Sequence, residues 1–290
     1  MATLTRASTG DVTARRAGRI TATALTYALL IGGSILFVIP FFWMVRTSLM
    51  AVDNIFLYPP QLIPNPIAWG NYREMWETGP FLHWVRNSTI VTLTTMVGET
   101  ITSMLVAFGF ARTRFPGRDK LFVFVLASLM IPYYVVLVPR FILFRDLGWI
   151  NTLYPLIIPE LFGSAFSVFI LRQFFLTLPM ELDEAAAIDG AGLWTILWQV
   201  VAPLSKPAIA TVAVFSFINH WNDFVQPLIY LQTPEALTLA VGIRWFTGRH
   251  ATEFHLLMAV SVVALLPILV IFFVAQKQFI QGIALTGVKG

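Results

Sequence analysis

Four carboxylates, Glu181, Asp183, Glu184 and Asp189, fall within nine residues of a chain in which only 12% of residues are charged. Acids gathered at the start of a helix complement its positive end, and a short helix of this kind can seat in a groove of a partner protein. A second polar group, Asn219-His220-Trp221-Asn222-Asp223, lies inside an apolar stretch and is followed by Gln226 and Pro227. Amides and carboxylates exchange hydrogen bonds with hydroxyls, and an aromatic face covers the CH surface of a sugar, so Asn219, Trp221, Asn222 and Asp223 are candidates for solute contact. The same groups also serve interhelical packing. Glu99 and Glu160 are acids inside apolar stretches, where hydrocarbon makes charge costly. Glu99 reads either as a pathway residue or as the partner of a serine or threonine on a neighbouring helix, and Glu160 as a pathway candidate.

Other chemistries are excluded by what the sequence lacks. Without cysteine there is no disulfide, thiol nucleophile or cysteine–metal site. No Gly-x-x-x-x-Gly-Lys-Ser/Thr run is present to cradle a phosphate, and no His-Glu-x-x-His pair to hold a metal. No nucleophile–base cluster gathers near one end of the apolar stretches, which argues against a membrane enzyme. A proton-coupled secondary transporter is the other reading, with Glu99, Glu160, His220 and Asp223 as its relay.

The elements that must position these residues are membrane helices. With 57% hydrophobic residues and a mean hydropathy of +0.76, the chain has the composition of a polytopic membrane protein. Six apolar stretches, at 21–45, 87–111, 120–142, 153–176, 206–231 and 256–280, each hold about the 20 residues that a bilayer-spanning helix needs. The first is too long for a signal peptide, so it reads as an uncleaved span. Between the first two, 50–80 is polar and proline-rich, an exposed loop with a short helix expected near 71–77. This divides the chain into an arm at 1–20, a six-span body at 21–280 and a tail at 281–290. Of 19 lysines and arginines, twelve fall on the side of the N-terminus and seven on the other. The positive-inside rule then makes both termini and the 178–203 segment cytoplasmic. The net charge of +4 is spread without a continuous basic patch, which speaks for topology and against nucleic-acid binding.

The 178–203 segment reads as a short helix propagated by Ala185, Ala186 and Ala187, a bend at Gly190 and Gly192, and a second short helix. That second helix carries Trp194, Leu197 and Val201 on one face before Pro203 stops it. The pattern Glu184-Ala185-Ala186, three residues, Gly190, nine residues, Val200, one residue, Ala202-Pro203 resembles the EAA loop of ABC importer permeases. That family has isoleucine and leucine where this chain has Val200 and Ala202. Along nearly its whole length the chain is similar to the MalG-type permeases of carbohydrate ABC importers. Supporting stretches are NPIAWGNYREMW, RNSTIVTL, GFARTRFPGR, INHWNDFVQPLIYL and the C-terminal QKQFIQGIALTGVKG.

The resemblance implies an all-α, six-helix permease that binds no cofactor. Its expected partners in the bilayer are a second permease, two copies of an ATPase that carries ATP and Mg, and an extracytoplasmic solute-binding protein. It implies that Glu184, Ala185, Ala186, Asp189, Gly190 and Pro203 belong to a cytoplasmic coupling helix and its flanks, seated on the ATPase, and that the tail near 287–290 approaches it. The implied function is ATP-driven carbohydrate uptake by alternating access.

Overall fold

The computed structural model describes residues 9–248 and 252–287, with side chains at 21–248 and 252–276. Its described residues form helices without a strand, apart from an isolated bridge between Thr247 and Thr252. In chain order these are α1 (Thr9–Ser48), α2 (Gly70–Glu77), α3 (Phe81–Arg112), α4 (Arg118–Ser128), α5 (Tyr133–Asp146), α6 (Tyr154–Ile157) and α7 (Ala165–Thr177). There follow α8 (Glu181–Ile188), α9 (Leu193–Thr195), α10 (Ala202–Leu204), α11 (Lys206–Trp221), α12 (Val225–Tyr230), α13 (Leu239–Gly242) and α14 (Phe254–Gly287). Residues 1–8 of the expected arm and 288–290 of the expected tail lie outside the described residues.

Four segments are long and apolar enough to cross a bilayer: Thr21–Ser48, Phe81–Arg112, Tyr154–Thr177 and Phe254–Gln276. Two further pairs make up to six, each bent: Arg118–Ser128 with Tyr133–Asp146 by 90°, and Leu193–Leu204 with Lys206–Tyr230 by 83°. The continuous helices expected at 120–142 and 206–231 are therefore broken or extended. At the first bend the amides of Leu129, Met130 and Ile131 bond carbonyls three residues back, at 3.0–3.2 Å, and Pro132 has no amide to satisfy. An elbow with its N–H groups occupied is tolerable at membrane depth. At the second bend Pro207 lacks the N–H that would continue the ladder to Pro203. The 153–176 stretch is also interrupted, by a 3₁₀ turn at Pro159–Phe162 and by Gly163 at φ +84°.

The hub is α3, which lies along α7 on one side and α11 on the other, while α1 packs on α14. Phe108 and Met104 of α3 meet Leu171 and Phe175 of α7, with Leu197 and Val201 closing the layer. Toward the other end Phe81 and Trp84 meet Phe217, Trp221, Phe246 and Leu256. This aromatic layer explains why α3 starts at Phe81, six residues before the apolar stretch read from sequence. By contrast α1 faces outward, and Phe37 is 80% exposed. In lipid such a surface carries no hydrophobic penalty.

Gly242 fits the aromatic layer for a steric reason. A Cβ there would stand 2.3–2.8 Å from three atoms of the Trp84 indole. That ring is fully buried and donates from Nε1 to the Pro234 carbonyl at 2.7 Å, so it has nowhere to move. At Gly98 the closest approach, also 2.3 Å, is to the tip of the Leu161 side chain, which can rotate away. Gly242→Ala is expected to destabilise by about 1–3 kcal/mol and Gly98→Ala by less. Thermal denaturation of the two purified variants in detergent checks the ranking.

Turn-rich breaks clasp one another. Asn151, at φ 63°, accepts on Oδ1 from the amides of Gln232 and Thr233 at 2.9 and 3.0 Å. The Asn87 Nδ2 donates to the carbonyls of Glu235, Ala236 and Leu237 at 2.9–3.0 Å. The Ser88 hydroxyl accepts from the Leu239 amide at 2.8 Å.

Candidate functional site

Between α3, α7, α11 and the 3₁₀ turn lies a cavity of about 620 Å³ whose lining includes Glu99, Glu160, Asn219 and Asp223. The deepest of these is Glu99, 5% exposed on α3. Its Oε1 accepts from the hydroxyls of Ser164 and Ser167 at 2.7 Å each, and its Oε2 from that of Ser216 at 2.5 Å. Three helices are thereby joined at one carboxylate, and hydroxyl donors replace the water that a buried charge would lose. Ser164 holds its place as the N-cap of α7, accepting from the Ser167 amide at 3.1 Å. Gly163 makes the approach possible, since a Cβ there would come within 2.8 Å of the Ser103 hydroxyl.

Glu160 stands between two cationic or potentially cationic groups. Its Oε1 is 3.5 Å from an Arg140 guanidinium nitrogen, and its Oε2 is 4.0 Å from Nε2 of His220. The other ring nitrogen of His220 lies 2.8 Å from the Ser216 carbonyl. A carbonyl only accepts, so the hydrogen is on Nδ1. Asp223 accepts from the Gln226 amide at 3.3 Å, across the gap between α11 and α12. Asn219 is exposed on the same side, one helical turn before Asp223.

Trp221 and Asn222 lie elsewhere. Trp221 is 6% exposed, stacks on Phe217 and donates from Nε1 to the Ala264 carbonyl at 2.9 Å, so it belongs to the aromatic layer. Asn222 returns its amide to the Ile218 carbonyl and faces a smaller depression beside α13 and α14. Asn219 and Asp223 line the cavity and Trp221 and Asn222 do not, and since α11 ends at Trp221 the turn after it, rather than helical spacing, sends Asn222 and Asp223 to different sides. Ser164, Ser167, Ser216 and Arg140 were not singled out as site residues from sequence, and Gln226 was noted only as following the polar group. A serine capping a helix after Pro159 and Gly163 is the one local signal that could have found Ser164.

At the other end, the 178–203 segment has the helix–bend–helix form read from its residues. The amides of Ala191 and Gly190 bond the carbonyls of Ala186 and Ala187 at 2.9 and 3.0 Å, the paired bonds of a Schellman cap, with Gly190 left-handed at φ +84°. Glu181, Glu184, Ala185 and Asp189 are exposed, as is Pro203, while Ala186 is half-buried. Beside them Ile188 is 86% and Trp194 63% exposed, an apolar surface among acids. Trp194, Leu197 and Val201, expected on one face, differ in environment: Leu197 and Val201 are buried and Trp194 is exposed. Ile196–Val201 is a π-helix, with a wider turn than an α-helix.

Asp183 turns inward, against Arg112 at the end of α3. The Arg112 Nε is 3.6 Å from an Asp183 carboxylate oxygen, with side-chain exposures of 2% and 12%. The guanidinium also donates to the Leu178 carbonyl at 3.1 Å and lies 2.7 Å from the Met180 sulfur. One arginine thus ties a spanning helix to the loop at three points.

Comparison with known proteins gives a consistent answer. Residues 99–284 match the family described as binding-protein-dependent transport system inner membrane component. An arabinooligosaccharide transport system permease protein of Bacillus subtilis is 33% identical over 260 residues, which cover 89% of this chain and 92% of that one. A diacetylchitobiose uptake system permease protein of Streptomyces coelicolor is 30% identical, over 90% and 87%. An sn-glycerol-3-phosphate transport system permease protein of Yersinia pestis is 32% identical, over 89% and 94%. A crystal structure of a bacterial ABC transporter involved in the import of the acidic polysaccharide alginate shares the fold. Its TM-score is 0.77 at 22% identity, with 94% of this chain and 99% of that chain covered.

Proposed function

The chain belongs to the binding-protein-dependent transport system inner membrane components, and from that membership we propose that it is a permease subunit of an ATP-driven carbohydrate importer. It forms the translocation pathway with a second permease subunit and works by alternating access. The observation that carries this reading is that relatives named for saccharide uptake align over about nine-tenths of the chain.

The geometry supports a division of labour between the two ends. The segment at 178–203 offers acids, Ile188 and Trp194 to a partner and holds its shape by the cap at Gly190. We assign it to docking on a separate ATPase, because the sequence has no phosphate-cradling loop of its own. Glu184, Ala185, Ala186, Asp189, Gly190 and Pro203 transmit force there and catalyse nothing. The cavity around Glu160, Asn219 and Asp223 is the pathway, exposed alternately to a solute-binding protein outside and to the cytoplasm, where both termini lie. Nucleotide binding by the ATPase pair shifts the balance between the two states. ATP and Mg stay on that partner, and the permease binds no cofactor.

Affinity purification from detergent-solubilised native membranes tests the assembly. An ATPase, a second permease and a secreted binding protein should co-purify. Recovery of the chain alone, with uptake abolished by a protonophore, would point to a proton-coupled carrier instead.

Gly190 gives a sharper test. Its φ of +84° is closed to proline, whose ring fixes φ near −65°. A Cβ there meets nothing within 4 Å, so the strain is purely of the backbone. Gly190→Pro is expected to leave the chain in the membrane and to uncouple ATP hydrolysis from uptake. Uptake at the wild-type rate would remove the loop from the mechanism.

A further inference from the structure

We infer that the cavity is built for an uncharged saccharide and repels anionic ones, an inference that rests on the reading of this cavity as the pathway. Family membership leaves the solute's charge open. The relatives are named for neutral oligosaccharides and for a phosphate ester alike.

The cavity is acidic. Glu99, Glu160 and Asp223 line it, and among the described residues no lysine or arginine does. Arg140 reaches Glu160 from α5 and offsets one of the three charges. Three carboxylates less one guanidinium leave a formal charge of −2, and a protonated His220 would still leave −1. Both oxygens of Glu99 are taken by serine hydroxyls, so it acts on a solute through its field rather than by contact. An anion entering this space finds no free cation to pair with, and inside a protein such a charge is weakly screened.

An uncharged saccharide finds partners. The Gln226 Oε1 is buried without a hydrogen-bond partner and can accept from a hydroxyl. The Asn219 carboxamide is exposed at the lining and can both donate and accept. Phe166 and Phe215, edge-to-face at 5.9 Å, offer apolar surface for the CH groups of a sugar ring. Hydroxyl-rich, apolar-faced and uncharged is the chemistry that this set accommodates.

The absence of cysteine makes a direct test possible. Asn219→Cys places one thiol in the lining of the assembled transporter in native membranes, with the cysteine-free parent chain as background. Its reaction rates with a cationic and an anionic methanethiosulfonate of similar size are each divided by the rate with a small free thiol. The cationic reagent is expected to react at least about tenfold faster on this scale, the order set by one uncompensated charge nearby. Adding Glu160→Gln or Asp223→Asn should shrink the ratio, and a neutral disaccharide pool should slow both reagents.

A ratio near one, or in favour of the anionic reagent, overturns the inference. If a saccharide still slows both reagents, the pathway reading survives that result. Failure of both reagents to reach residue 219 in every nucleotide state would overturn the pathway reading itself. Should Asn219→Cys fail to assemble, Gln226→Cys samples the same lining and is read in the same way.

Discussion

Arg112→Ala is expected to reduce uptake to background while the spans still insert. Arg112 is the point where α3 grips the 178–203 segment, through the Asp183 carboxylate, the Leu178 carbonyl and the Met180 sulfur. Removing it strands a carboxylate whose side chain is only 12% exposed, and breaking a buried pair from one side costs about 3–5 kcal/mol. A side-chain N-cap is worth only about 1 kcal/mol, and α8 has none to offset that loss. The loop should therefore come loose before the spans do. Asp183→Asn added to Arg112→Ala removes the stranded charge and should recover part of the lost stability. Thermal denaturation of the single and double variants, beside uptake assays, measures both effects. An Arg112→Ala protein as stable and active as the parent would mean that the pair is ornamental.

Glu99→Leu has the second largest expected effect, and its target is assembly of the bundle. Ser164, Ser167 and Ser216 would lose their shared acceptor at the junction of α3, α7 and α11. Interhelical hydrogen bonds in membranes are worth about 0.6–1.7 kcal/mol each, so three amount to roughly 2–5 kcal/mol. Glu99→Gln keeps the shape and one acceptor oxygen, and its amide can donate to the remaining hydroxyl oxygens, so it should retain most of the stability. A monodisperse peak on size exclusion for Glu99→Gln and an aggregated one for Glu99→Leu would fit the three-serine junction. Equal profiles for the two would exclude it.

The sequence was most legible where structure is local. The cap at Gly190 follows from a run of alanines ending at a residue free to take positive φ, and the structure has it there. The dense polar group at 219–223 was visible as an anomaly in an apolar stretch, but spacing could not sort it, since Asn222 and Asp223 lie three and four residues from Asn219 and α11 ends at Trp221. Pairings across long separations left no such trace. Arg112 and Asp183 lie 71 positions apart, and nothing local says that an arginine closing one span will meet an acid after two more. A serine or threonine partner for Glu99 was one of its two readings and the structure has it, but which serines would meet it was silent, since serine is common in membrane helices for many reasons. A periodicity of 3.6 was also carried through Ile196–Val201, which is a π-helix. The bend at 129–132 was missed because hydropathy averages over a window and is blind to direction.

That bend governs the parity of the chain. The half-helices α4 and α5 hold eleven and fourteen residues, and neither alone crosses a bilayer core of about 30 Å. Meeting at 90° and each tilted by about half of that, they rise together about 27 Å at 1.5 Å per residue, enough to cross with the elbow between them. If the pair is one broken span, then with α1, α3 and the α6–α7 stretch it would make four traverses before the loop, and an even number would return the chain to its starting leaflet. A re-entrant pair would leave three, and would put Ile188, Trp194 and the acids on the face opposite the start of α1. Three residues with occupied amide hydrogens and a proline with none would thus set on which side of the bilayer the loop emerges.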